Sequence, residues 1–140
     1  MELIITNKEE FENRPRLPED IKDEWLLALK SGGYKKGKGV LCKDEKYCCL
    51  GVLCEISKLE KVMPFTDISS TLKGYQVPGG THWATRFLPE GFYLTNLIGN
   101  DGRFVGFYIG SDKTLYPDLT GLNDATKTFD EVIEVIEKYF

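Results

Sequence analysis

Tyr47-Cys48-Cys49-Leu50-Gly51-Val52-Leu53-Cys54-Glu55-Ile56 is the stretch on which the fold turns. Eight of its ten residues are apolar, Tyr and Cys included, and no proline interrupts them. Wrapped as a helix, Tyr47, Leu50, Cys54 and Ile56 do not exhaust the apolar surface. Cys48, Val52 and Leu53 cover the rest, and a helix apolar on nearly all sides is packed against from several directions. A buried strand is the rival reading of so much Val, Tyr and Cys. The helix is favoured because Glu55, Ser57, Lys58 and Glu60 read as its polar tail. Gly51 and the small thiols let neighbouring backbones come close.

Upstream, Leu3-Ile4-Ile5 reads as a short strand. Thr6 and Asn7, with Glu9 and Glu10 beyond them, start a short helix that ends near Asn13. Pro18, Glu19 and Asp20 open a second helix. Its Ile21, Trp25, Ala28 and Leu29 form a stripe that docks on the cysteine helix, and Ser31-Gly32-Gly33 stops it. Val40-Leu41-Cys42 and Lys43-Asp44-Glu45-Lys46 suggest a small hairpin or loop.

Downstream, Gly74, Pro78, Gly79, Gly80 and Pro89 break residues 59–90 into loops with short strands. Phe92–Ile98 and Arg103–Ile109 flank Gly99-Asn100-Asp101-Gly102 and read as an aromatic hairpin. A bare edge of that kind is normally paired or covered, which predicts a homo-oligomer. Leu122-Asn123-Asp124 leads into a last helix from about Thr128, and the Asn123-Asp124 side chains read as caps that fix its approach. Thr128 and Glu131 form its capping box, with Phe129, Val132, Ile133 and Ile136 on its apolar side. The expectation is a single α+β domain over residues 1–140, with a central apolar helix, packed helices and a small antiparallel sheet.

With 140 residues, 41% hydrophobic and 29% charged, the chain has the composition of a globular protein with a substantial core. A net charge of −4 argues against general nucleic-acid binding. No apolar run is long enough to span a membrane, and the acidic, briefly apolar N-terminal residues do not read as a signal peptide. A cytoplasmic setting with reduced thiols is therefore expected. Adjacent Cys48 and Cys49 point to different faces of any regular element, which suits buried small residues better than a metal site. No metal or cofactor is expected.

Against this acidic background, the segment from Lys30 to Lys46 carries six lysines and two acids, a local charge of +4. Within it, Gly32-Gly33-Tyr34-Lys35-Lys36-Gly37-Lys38-Gly39 combines glycine amides with Lys35, Lys36 and Lys38, the chemistry of an anion site. A solvated turn has the same composition. The segment imitates a phosphate-binding loop but has Gly39 where Ser or Thr should follow the lysine, and it leaves a helix rather than a strand. His82-Trp83 with Arg86 can stack a base and grip a phosphate, with Tyr34 as another stacking ring and Arg103 as a further cation. Trp83 as a core residue with the other two on the surface is the plainer reading. No Ser-His-Asp order, carboxylate pair or activated thiol is present, so catalysis is the minority reading, with His82 the only general base available to a small nucleotide hydrolase.

Trp25-x-x-Ala28-Leu29-x-Ser31-Gly32-x-Tyr34, Gly37-x-Gly39-x-Leu41, Tyr47 to Cys54, and Leu122-Asn123-Asp124 followed by Phe129, Ile133, Ile136 and Glu137 together resemble a family of small proteins common in tailed-phage genomes. The likeness covers residues 25–56 and 122–137. It implies an accessory protein acting on the host, and many such proteins counter antiviral defence. One strategy is the sponge, which binds an immune nucleotide and withholds it without catalysis. The resemblance thus implies a ligand that is an ADP-ribose derivative of the Thoeris type or a cyclic oligonucleotide, bound in the host cytoplasm. An inhibitor docking directly on a host defence protein through the aromatic hairpin is the alternative.

Overall fold

A computed structural model of the chain describes residues 2–62 and 71–140. Strand β1 (Leu3–Ile5) leads to helix α1 (Lys8–Asn13), where the Asn7 side chain accepts from the Glu10 amide at 3.0 Å. Pro18 sets the entry to α2 (Glu19–Lys30), whose Trp25, Leu26 and Leu29 are buried. The Arg14 guanidinium, between the two helices, stacks on Phe11 and Tyr139 at 3.7 and 4.2 Å and donates to the Tyr139 carbonyl at 2.6 Å.

Three two-residue strands follow: β2 (Lys35–Lys36), β3 (Cys42–Lys43) and β4 (Lys46–Tyr47), in the order β2-β4-β3. The expected hairpin is the antiparallel pair β3–β4, and β2 adds to it in parallel. Asp44 and Glu45 form its two-residue loop with φ of 55° and 59°, a turn shape usually filled by Asn-Gly.

The cysteine stretch folds as α3 (Cys49–Ile56), buried at every residue from Cys49 to Cys54. Cys48 precedes it as the cap, its sulfur accepting from the Gly51 amide at 3.4 Å, and Tyr47 belongs to β4. Of the expected polar tail only Glu55 is helical; Ser57, Lys58 and Glu60 are not. Lys58 takes φ 55°, the Lys58 amide donates to the Glu55 carbonyl and the Leu59 amide to that of Cys54. This pair of bonds closes the helix without the glycine that ordinarily marks such an end. Gly51 is needed for a different reason: a Cβ there would stand 1.9 Å from the Leu41 carbonyl oxygen.

Beyond α3, β5 (Glu60–Val62) pairs antiparallel with β6 (Gly74–Gln76), in keeping with short strands among loops. The part of that expectation covering residues 63–70 lies outside the described residues. The aromatic hairpin is corrected. Residues 93–98 are a helix, α4 (Tyr93–Ile98), with Leu94 and Ile98 one turn apart on its buried side. The Gly99–Gly102 turn therefore joins α4 to β7 (Arg103–Ile109), whose neighbours are β1 on one side and β8 (Leu115–Asp118) on the other. Gly106, at φ 140°, lets β1 approach so closely that a Cβ would meet the Ile4 carbonyl oxygen at 1.9 Å. Both edges of β7 are paired, so the bare aromatic edge that would drive self-association is not present there.

After β8 come α5 (Leu119–Ala125) and α6 (Asp130–Tyr139). The Thr128–Glu131 capping box does not form. Thr128 Oγ1 accepts from the Asp130 amide at 3.3 Å, while Glu131 reaches across to the Ser111 amide at 2.8 Å. Leu122, Val132, Val135 and Ile136 join Trp25, Leu50 and Leu53 in one hydrophobic core. The protein is an α+β fold with α3 at its centre.

Asn123 is not a cap for the helix that follows it in sequence. It lies within α5, fully buried, and its Oδ1 accepts from the Cys49 amide of α3 at 3.1 Å. Its Nδ2 donates to the Gly37 carbonyl at 3.0 Å. Asn123→Ala strands one buried donor and one acceptor, so urea unfolding should register a loss of roughly 2–4 kcal/mol. A loss below about 0.5 kcal/mol would show that the amide bridge contributes little.

All four thiols are free and buried. Burial pushes the Cys48 thiol up to about 11 and those of Cys49 and Cys54 well above their ordinary value. A disulfide reagent at pH 8 should label the native protein slowly and all four thiols only after unfolding; rapid native labelling would contradict this packing.

Candidate functional site

The glycine-lysine segment is shaped from beneath by α5. The Gly39 amide donates to Asp124 Oδ1 at 3.0 Å, and Asn123 holds the Gly37 carbonyl. The Gly37 amide completes the anchorage on the Tyr47 carbonyl at 2.7 Å. Between this segment, the β3–β4 ribbon and the residues after α5 lies an open groove of about 540 Å³.

Lys36, Lys38, Lys43, Lys46 and Lys127 line the groove, together with Asp44, Asp124 and Thr126. Five lysines against two aspartates leave a net +3 on this wall, in a chain of net charge −4. Among the described residues none of the five is within ion-pair distance of a carboxylate, whereas Lys8, Lys30, Lys61 and Lys138 each pair with a glutamate. Lys36 is the half-buried member. Desolvation holds its amine below the ordinary lysine value, and the field of Asp124 opposes that shift. The lining contains no histidine or cysteine. The wall presents a surplus of positive charge to the groove.

A second groove, about 360 Å³, adjoins the first. Lys36 and Lys127 line both and form the ridge between them. Its other walls include Leu29, Tyr34, Phe129 and Ile133. Tyr34 is half-buried and meets Tyr47 edge-on, with ring centroids 5.1 Å apart.

Of the residues singled out from the sequence, Tyr34, Lys36 and Lys38 come together at these grooves. Lys35 is exposed on β2, in register with Lys46, and lines neither. His82, Trp83 and Arg86 are exposed on a separate loop; the histidine ring contacts Thr81 Oγ1 at 2.8 Å and Arg86 lies 5.9 Å from the Phe87 ring centroid. Arg103 sits on β7, hydrogen-bonded to Asp101 at 3.3 Å, beside a different hollow shared with Arg14 and Phe104. Lys43, Lys46, Lys127 and Thr126 were not distinguished by sequence reasoning. The first two flank the Asp44-Glu45 turn and could have been found from hairpin geometry. Lys127 gave no local signal, since only the docking of α5 brings it to the groove.

No helix among the described residues is long and apolar enough to cross a membrane. No curated protein and no solved structure matches the chain. A family model, described as a domain of unknown function (DUF8296), matches residues 17–140, a span that takes in every residue lining both grooves and leaves β1 and α1 outside. The chain thus belongs to the DUF8296 family of domains.

Proposed function

We propose that the chain is a phage-encoded anti-defence protein of the host cytoplasm that binds a phosphorylated nucleotide signal in the lysine groove and sequesters it without catalysis. The observation that carries this reading is the cluster of five lysines on one wall of an acidic protein, none of them ion-paired among the described residues. Like charges so gathered repel one another, and a polyanion relieves that repulsion while exchanging water for charge-assisted hydrogen bonds. A sponge needs affinity and no turnover, and a wall of lysines with a fixed glycine loop suits that task. The defence pathway served is part of the proposal and rests on the phage resemblance.

Lys36 ties binding to stability. Because its folded-state amine is held below the ordinary lysine value of 10.5, the charged form is penalised by folding. The penalty is fully present below the folded-state value and is relieved as pH rises from there towards 10.5. Lys36→Met should therefore melt no lower than the parent at pH 7 while losing affinity for inorganic tripolyphosphate. A marked drop in melting temperature would contradict the assignment of this lysine as a binding residue held at a cost to folding.

Calorimetry with tripolyphosphate and with nucleotides tests the groove itself. Lys38→Ala/Lys46→Ala should weaken binding by about a hundredfold or more, since each charge-assisted bond contributes roughly 1.5–3 kcal/mol, with thermal melting unchanged. His82→Ala/Arg86→Ala should change it less than about threefold. The reverse ranking would move the site to the loop and end this reading. Ligand recovered unaltered from denatured protein supports sequestration; a chemically altered product supports an enzyme.

A further inference from the structure

The two adjoining grooves differ in kind, and this asymmetry restricts the ligand. On one side of the Lys36–Lys127 ridge the walls hold Lys38, Lys43 and Lys46 against Asp44 and Asp124, a surplus of one positive charge, and no aromatic ring. On the other side they hold Tyr34, Leu29, Phe129 and Ile133. The remaining cation there, Lys30, is neutralised by Glu137 at 2.6 Å, and Asp130 adds a carboxylate that repels phosphate. Spare positive charge therefore lies at the ridge and beyond it in one direction only. Apolar and aromatic surface lies in the other.

Resting on the reading of the lysine groove as a nucleotide site, we propose that both grooves form one bipartite site for a nucleoside carrying a terminal run of two or three phosphates. The base lies against Tyr34 and Ile133. The first phosphate crosses the ridge between Lys36 and Lys127. The outer phosphates occupy the groove of Lys38, Lys43 and Lys46, and the Asp130 carboxylate accepts from the ribose hydroxyls. A cyclic dinucleotide alternates rings and phosphates and would need an aromatic wall at both ends. An ADP-ribose derivative carries its charge in the middle and would place a neutral sugar among three lysines. Neither distribution matches the charge of the walls as closely as a nucleotide charged at one end.

The test is calorimetry on the full chain with inorganic tripolyphosphate, the four ribonucleoside triphosphates, ADP-ribose and a cyclic dinucleotide. At least one triphosphate should bind about tenfold or more tighter than tripolyphosphate, the increment expected from stacking one base on an aromatic ring. It should also bind tighter than ADP-ribose or the cyclic dinucleotide. Tyr34→Ala should remove most of that increment and leave tripolyphosphate affinity unchanged, and Ile133→Ser should reduce it. The comparison on the parent chain needs no variant, so a folding defect in Tyr34→Ala cannot protect the proposal. Equal affinity for tripolyphosphate and every triphosphate would overturn the bipartite site while leaving the lysine groove standing. Tighter binding of ADP-ribose or the cyclic dinucleotide would overturn the ligand class. No binding of any anion would remove the lysine-groove reading, and this inference with it.

Discussion

The side-chain amide of Asn123 is the constraint on which the rest of the structure depends. It is fully buried, and its two ends meet two backbone groups: the first amide of α3 and the Gly37 carbonyl. Cys49 is gripped twice, since its carbonyl accepts from the Trp25 indole at 2.9 Å. One residue at the start of the central helix thereby fixes α2 through an indole and α5 through an amide. A helix apolar on all sides can slide or rotate in its packing without much change in buried area. These two directional bonds set its position along the axis as well as its facing.

The same amide reaches the groove. Gly37 is held by Asn123 and Gly39 by Asp124, so adjacent residues of α5 set the course of the lysine segment. A flexible glycine loop would let its lysines spread apart in response to their repulsion. Anchored from below, they stay on one wall together with Lys127, which the end of α5 delivers. The core of the fold and the charge of the groove are thus parts of one construction, which accounts for an Asn-Asp pair standing next to each other.

Much of this was legible in the sequence, for local reasons. The Trp25–Leu29 stripe and the hydrophobic side of α6 follow from periodicity, with Trp25, Leu29, Val132 and Ile136 buried and Ala28 and Ile133 partly so, while the central helix follows from its unbroken apolar run. The Lys43–Lys46 turn follows from its length and charge. Three features were hidden because their causes are not local. Residues 93–98 have strand-like composition, yet Leu94 and Ile98 meet the core one turn apart and make a helix. The end of α3 falls on a lysine in a conformation that glycine ordinarily marks. Asn123 reads as a cap for its own neighbourhood and caps another helix instead. The candidate site divided in the same way: Tyr34, Lys36 and Lys38 share a segment, while Lys127 reaches them only through tertiary packing.

The Asp44-Glu45 loop has a wider implication. Two acidic residues with side chains sit at left-handed angles at the tip of the ribbon that presents Lys43 and Lys46. A turn occupied by residues poorly suited to it is a reservoir of adjustability. Its stiffness can change by substitution at the tip, while the lysines on either side keep their register through the β3–β4 pairing. Descendants of such a chain can retune how firmly the wall stands without redrawing its charge.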